Sequence, residues 1–246
     1  MNLFWDAIVW IFTPVWPRGT IVNTVVQRLG EHILYTVISL VVAIVIAVPI
    51  GYYIGHSGRG RQIAIGLSGA ARALPSLGLL TILALAIGVG RAEIAAVFVF
   101  VLLGVPSILA GAYAGLEAID RRTIDAARAV GMSEWQILTK VEIPLGLPLL
   151  LGGIRNAALQ IVATATLASY VGLGGFGIYI FGGIQSHDIP QLVGGALLVA
   201  VLALVLDGLF ALLQKFAVPH GVAVAMAKSV RTRPSRPTAV VGTPIS

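Results

Sequence analysis

"IAAVFVFVLLGVPSILAGAYAGL", residues 94–116, runs without a charged side chain. An α-helix needs about 20 apolar residues to cross a hydrocarbon layer roughly 30 Å thick, so this run is long enough to span a bilayer. Further runs of the same kind surround it. "ILYTVISLVVAIVIAVPIGYYIG" covers 33–55, and "ALPSLGLLTILALAIGVG" covers 73–90 with an upstream extension through "IAIGLSGA". Another begins near Ile143, contains Arg155 and continues through "ATATLASYVGLGGFGIYIF", and the last covers about 189–214. Only 11% of the 246 residues are charged, against roughly a quarter in an ordinary soluble domain, and mean hydropathy is +0.97. The prediction is an all-α polytopic membrane protein with about five transmembrane helices. Pro49, Pro75 and Pro106 lie inside these runs, where neighbouring helices can re-satisfy the backbone groups that a proline frees.

The flanks read differently. "FWDAIVWIFTPVW" is too short to span and holds three of the four Trp, whose rings prefer headgroup depth, so residues 1–29 are expected to form an interfacial segment. No basic stretch precedes it and no A-x-A-like site follows, which argues against a cleaved signal. Residues 30–216 make up the expected membrane domain. Residues 217–246, ending in "KSVRTRPSRPTAVVGTPIS", are expected to be a disordered tail held near acidic lipid. Arg59, Arg61, Arg121, Arg122, Arg128, Lys140, Lys215 and the tail's basic residues follow alternate runs, while the opposite side has Arg18, Arg28 and Arg91. The positive-inside rule then puts the N-terminus outside and the C-terminus in the cytoplasm.

Several classes of chemistry have no residues to carry them. The chain has no Cys, and its His residues at 32, 56, 187 and 220 show no i, i+4 pair, so no metal or cofactor is assigned. There is no G-x-x-x-x-G-K-[ST] to cradle nucleotide phosphates and no H-E-x-x-H. "GVGRAE" and "GLGGFG" are read as packing or tight-turn glycines. The net charge of +6 lies at the ends of apolar runs and in the tail without interleaved aromatics, which excludes a nucleic-acid partner in favour of a lipid surface. A secondary transporter would carry an internal repeat and ion-coupling acids; Asp207 is the one carboxylate deep in a run.

One stretch looks soluble: "DAARAVGMSEWQILTKVEIP", residues 125–144, within a polar loop at 117–144. Thr123 can cap a first helix with Asp125 in its opening turn, and Gly131 can close that helix in the left-handed conformation. Ser133 and Gln136 have capping-box spacing. Trp135, Leu138 and Val141 then fall on one face of a second helix that should stop before Pro144. A helix this short is marginal alone. Its apolar stripe has two available homes, its own membrane domain or a groove on a partner.

The same stretch resembles the signature loop of permease subunits of binding-protein-dependent ABC importers, whose pattern is Glu-Ala-Ala, three residues, Gly, nine residues, Ile-x-Leu-Pro. Asp125, Ala126, Ala127, Gly131, Val141, Ile143 and Pro144 occupy those positions, with Asp for Glu, Val for Ile and Ile for Leu as departures. The resemblance implies the type I permease fold. It also implies that Asp125, Ala126, Ala127, Gly131, Met132, Ser133, Trp135, Leu138 and Pro144 dock on a separate ATP-binding subunit, two copies per complex. "ARALPSLGLLTILALAIGVG" and "TATLASYVGLGGFGIYIFGGI" further resemble the osmoprotectant branch, which carries glycine betaine, choline, carnitine or proline betaine. Methionine-type and nitrate/taurine-type permeases share the loop. Because no binding domain follows the last run, a separate extracytoplasmic binding protein is expected, and a subunit this small calls for a second permease subunit, identical or homologous.

Candidates to line a translocation pathway are Pro75, Ser76, Arg155, Thr164, Thr166, Ser169 and Tyr170. Arg155 lies about 18 Å along a helix begun at Ile143, too deep to face lipid. It faces the pathway or dimer interface, or it pairs with Asp207 or backbone carbonyls. The hydroxyls of "TATLASY" serve either a pathway or ordinary packing between helices.

Overall fold

The computed structural model describes residues 3–12 and 25–217. All regular structure among them is helical. A short helix, α1 (Leu3–Phe12), precedes α2 (Val25–Ser57), α3 (Arg61–Ala73), α4 (Ser76–Ile87) and α5 (Ala92–Glu117). The polar loop holds α6 (Arg121–Ala129) and α7 (Glu134–Ile137), followed by α8 (Ile143–Ala165), α9 (Gly177–Ser186) and α10 (Ile189–Ala217). Among the described residues four helical stretches are long and apolar enough to cross a membrane, and five if α3 and α4 together make one crossing.

α5 is the central helix, packed between α2 and α8, and glycine makes that packing close. A Cβ on Gly115 would lie 2.6 Å from the Gly146 carbonyl oxygen, one on Gly153 the same distance from the Ser107 carbonyl, and one on Gly51 would collide with the Ala112 Cβ. These approaches bring backbone onto backbone. In a bilayer, where apolar side chains gain nothing by leaving lipid, such contact supplies the dispersion energy that holds helices together. Phe100 and Ile161, fully buried, pack in one apolar cluster with Leu80 and Ala84 of α4, and Ile108, also fully buried, in another with Ala43 and Ala157.

Two of the expected runs are divided. The run at 73–90 with its upstream extension is two helices bent by 84°. Leu74 is extended (φ −69, ψ 133) because it precedes Pro75, whose ring disfavours the helical region for its predecessor, and Pro75 then stands at the start of α4. The run from Ile143 through Phe181 is not continuous either. After Ala165 the helix tightens into a 3₁₀ segment, Thr166–Val171, and Gly172 at φ 85 ends it. The chain turns through the glycines before starting α9 as a separate helix. Two residues of α2 pin this turn: the Glu31 carboxylate accepts from Gly175 N–H at 2.8 Å, and buried His32 accepts from Phe176 N–H while its other ring nitrogen meets the Val162 carbonyl at 3.0 Å.

α1 lies against α10, with Trp10 edge-on to Tyr179 at 5.2 Å between ring centroids. Trp16 and the tail from 218 onward fall outside the described residues, and so does the disorder expected of that tail.

Candidate docking loop and pathway face

The polar loop is organised by its caps. Asp120, not Thr123, caps α6: its carboxylate accepts from Arg122 N–H at 2.9 Å, so the helix starts earlier than expected and Asp125 lies beyond its first turn. Both residue types can cap, and Asp120 stands where the chain leaving α5 turns. Gly131 has φ +85; its N–H donates to the Arg128 carbonyl and Met132 N–H to the Ala127 carbonyl, a Schellman closure that needs a left-handed residue. Ser133 and Gln136 form the expected capping box, with bonds of 2.9 and 3.4 Å.

The second helix does not stop before Pro144. It widens into a π turn, Leu138–Glu142, in which Ile143 N–H donates to the Leu138 carbonyl, and runs directly into α8. A proline lacks a donor and crowds the carbonyl four residues back; the wider turn and a place at the start of α8 accommodate both defects. The second loop helix and the membrane helix are therefore one continuous rod.

The expected stripe of Trp135, Leu138 and Val141 divides. Ile137 is fully buried and Leu138 half-buried, whereas Trp135 is 72% and Val130 79% exposed. Ala127 is buried, Met132 half-buried, and Asp125, Ala126, Gly131 and Ser133 are exposed. One side of the loop is anchored; the other offers two large apolar side chains and the edges of two capped helices.

A charge network absent from the sequence reading fixes the loop to α2. Arg128 grips Glu134 through two bonds of 2.8 and 3.1 Å and reaches Asp125 at 3.4 Å. The hydrogen bonds, then the charges, push the Arg128 guanidinium further up and hold the Glu134 carboxyl below its ordinary range. Glu134 lies 3.6 Å from His56 Nε2, and His56 Nδ1 lies 2.6 Å from the buried Glu142 carboxylate. Arg128 and Glu134 are exposed and add little stability. Their effect is geometric, since residues from α2, α6, α7 and the π turn are joined across one polar cleft of about 500 Å³ that His56, Arg61, Glu117, Arg121, Arg128 and Glu142 help to line.

On α8, Arg155 is committed to Asp207 of α10 by two bonds of 2.5 and 2.6 Å. The hydroxyls of Thr164, Thr166 and Ser169 each bond a carbonyl of their own helix, from Gln160, Ala163 and Thr166. Tyr170 is exposed, its ring 5.7 Å from that of Phe181, and Pro75 and half-buried Ser76 stand at the α3–α4 bend. Asn156 is exposed and Gln160 half-buried on the remaining side of α8. Sequence reading passed over both, although their i, i+4 spacing inside an apolar run was visible.

Residues 44–219 match the family described as "Binding-protein-dependent transport system inner membrane component". The chain is 31% identical to the glycine betaine/carnitine/choline transport system permease protein OpuCB of Bacillus subtilis (strain 168) over 196 residues, 79% of this chain and 89% of the relative. It is 33% identical to the carnitine transport permease protein OpuCB of Listeria monocytogenes, over 75% of this chain and 84% of the relative. Among solved structures, an inward-facing form of the MetNI methionine ABC transporter superimposes with a TM-score of 0.67 at 20% identity, covering 77% of this chain and 94% of that one, a likeness of fold. With a glycine-packed helical core and a family match over most of its length, this chain belongs to the inner-membrane permease components of binding-protein-dependent ABC import systems.

Proposed function

We propose that this permease imports an osmoprotectant of the glycine betaine, choline, carnitine or proline betaine class. The likeness to permeases named for glycine betaine, carnitine and choline transport supports that substrate class. Two permease subunits form the pathway, two ATP-binding subunits drive it, and a separate extracytoplasmic protein delivers the solute. Residues 30–216 form the membrane domain, with the 1–29 segment at the interface and 217–246 as a tail; the N-terminus lies outside and the C-terminus in the cytoplasm.

One observation carries the docking assignment: Trp135 and Val130 are exposed on a loop whose two helices are capped and whose Ile137 is buried. Two exposed apolar residues on a rigid support are what a partner's groove requires. Asp125, Ala126, Ala127, Gly131, Met132, Ser133, Trp135, Leu138 and Pro144 then form or shape the docking surface.

The test is co-purification with the ATP-binding subunit and binding protein, followed by a ligand screen on the latter and ATP-dependent uptake into proteoliposomes. Betaine or choline binding with matching uptake supports the reading; binding of methionine or an oxyanion instead overturns the substrate class. Cysteines placed singly at Ser133 and Ser186 of this cysteine-free chain should react with an impermeant reagent from opposite sides of the membrane. Labelling of both from one side overturns the orientation.

A further inference from the structure

α8 contacts α2, α5 and α10 on three sides. Its fourth side carries, in helical register, Leu149, Gly152, Asn156, Gln160 and Ala163. Leu149, Asn156 and Ala163 are exposed, Gln160 is half-buried, and a Cβ added to Gly152 would meet nothing within 4 Å. Asn156 lies about 20 Å along the rod from Ile143, at mid-bilayer depth. Neither its carboxamide nor that of Gln160 has a hydrogen-bond partner among the described residues.

Lipid cannot cover this face, because an amide without a partner in hydrocarbon forfeits its hydrogen bonds outright. The faces that lipid does cover look different. On α10, Val201, Leu204, Val205, Leu209 and Leu212 are 49–71% exposed with no polar residue among them, and on α2 Val41, Val45, Ile46 and Ile50 are 43–67% exposed. Asn156 must therefore face water or the second permease subunit, and the pathway between two such subunits supplies the water. The face carries no charge, with Arg155 turned aside to Asp207, so it can hydrogen-bond a solute and its hydration water while holding no ion of either sign.

We infer that Asn156 and Gln160 form the polar wall of the translocation pathway at its narrow middle, where they touch the solute in transit. This rests on the permease reading but not on which solute is carried. It also differs from the hydroxyls of Thr164, Thr166 and Ser169, which bond carbonyls three or four positions back.

The test uses the assembled complex in membranes. Cysteines are placed at Asn156, at Leu204 as a lipid-facing reference and at Ala157, which is fully buried, and each is treated with a charged methanethiosulfonate. Such reagents need thiolate, which forms only in water. Asn156→Cys should react at least about tenfold faster than either reference and lose transport on reaction. Asn156→Leu should co-purify with the ATP-binding subunit as wild type does but lose at least about tenfold in uptake, with Asn156→Gln retaining most of it.

Reaction of Asn156→Cys no faster than Leu204→Cys overturns the inference. So does a spontaneous disulfide between two copies that resists the reagent, which would make the face a helix contact, and so does wild-type uptake by Asn156→Leu. If the complex carried a different solute, the labelling contrast would persist while the betaine screen failed, so the two readings fail separately.

Discussion

The two halves of the rod that begins at Glu134 are built on opposite terms. Beyond Pro144 it is pressed against α5 so tightly that a Cβ would run into the Gly115 carbonyl at Gly146 and the Ser107 carbonyl at Gly153. Before Pro144 it is held by caps and charges, with Trp135 left outside. The upper half owes its shape to other helices and the lower half largely to its own sequence. A single substitution should therefore damage folding in one half and docking in the other, although the two are one helix.

The sharpest way to break the contrast is Gly153→Val. A β-branched side chain 2.6 Å from the Ser107 carbonyl has only backbone to displace, so the cost lies at or above the upper end of the about 1–3 kcal/mol typical of overpacking. Little folded protein should survive detergent extraction, read as loss of the monodisperse peak and a lowered melting temperature. Normal yield and melting would show that α5 and α8 are not in backbone contact.

Gly131→Val comes next. It meets no neighbour within 4 Å, so its whole effect is the left-handed φ of +85, about 1–3 kcal/mol of strain. Insertion and melting of the membrane domain should be unchanged. Co-purification of the ATP-binding subunit and hydrolysis stimulated by loaded binding protein should fall together, and retention of both at wild-type level would leave the docking role without support.

His56→Ala removes the partner of buried Glu142, at about 1–3 kcal/mol for a hydrogen bond lost at a buried group. Melting should drop slightly, and trypsin should cut faster at Arg128 and Lys140 as the loop loosens from α2. Adding Glu142→Gln should cost less than the sum of the two changes, because they break one contact. Full additivity would mean that the pair is not coupled.

Trp135→Ala should have the smallest effect on the fold, none that calorimetry detects, since the ring is exposed. Its effect should appear only in docking, as several-fold weaker retention of the ATP-binding subunit. A drop in melting would place the ring against the membrane domain after all.

Reading the loop from sequence worked where bonds are short in sequence. The capping box of Ser133 and Gln136 and the left-handed Gly131 involve neighbours three to five positions apart, and both stand as read. The cap of α6 failed by competition, since Asp120 and Thr123 both suit the role and the direction of the chain leaving α5 chose between them. The stop at Pro144 failed because a π turn, invisible to periodicity, carries the helix past it.

Composition alone determined that this chain spans a bilayer with a handful of helices, because only apolar runs of this length are stable there, and the loop's local bonds determined its two short helices. Tertiary structure decided the rest: the pairing of Arg155 with Asp207 across 52 positions, of His56 with Glu142 across 86, and which side of α8 stays open. The reason is the solvent. In water an amphipathic stripe announces the buried face of a helix, but in lipid the outer face is as apolar as the inner one, so only the neighbouring helices reveal which way α8 turns Asn156.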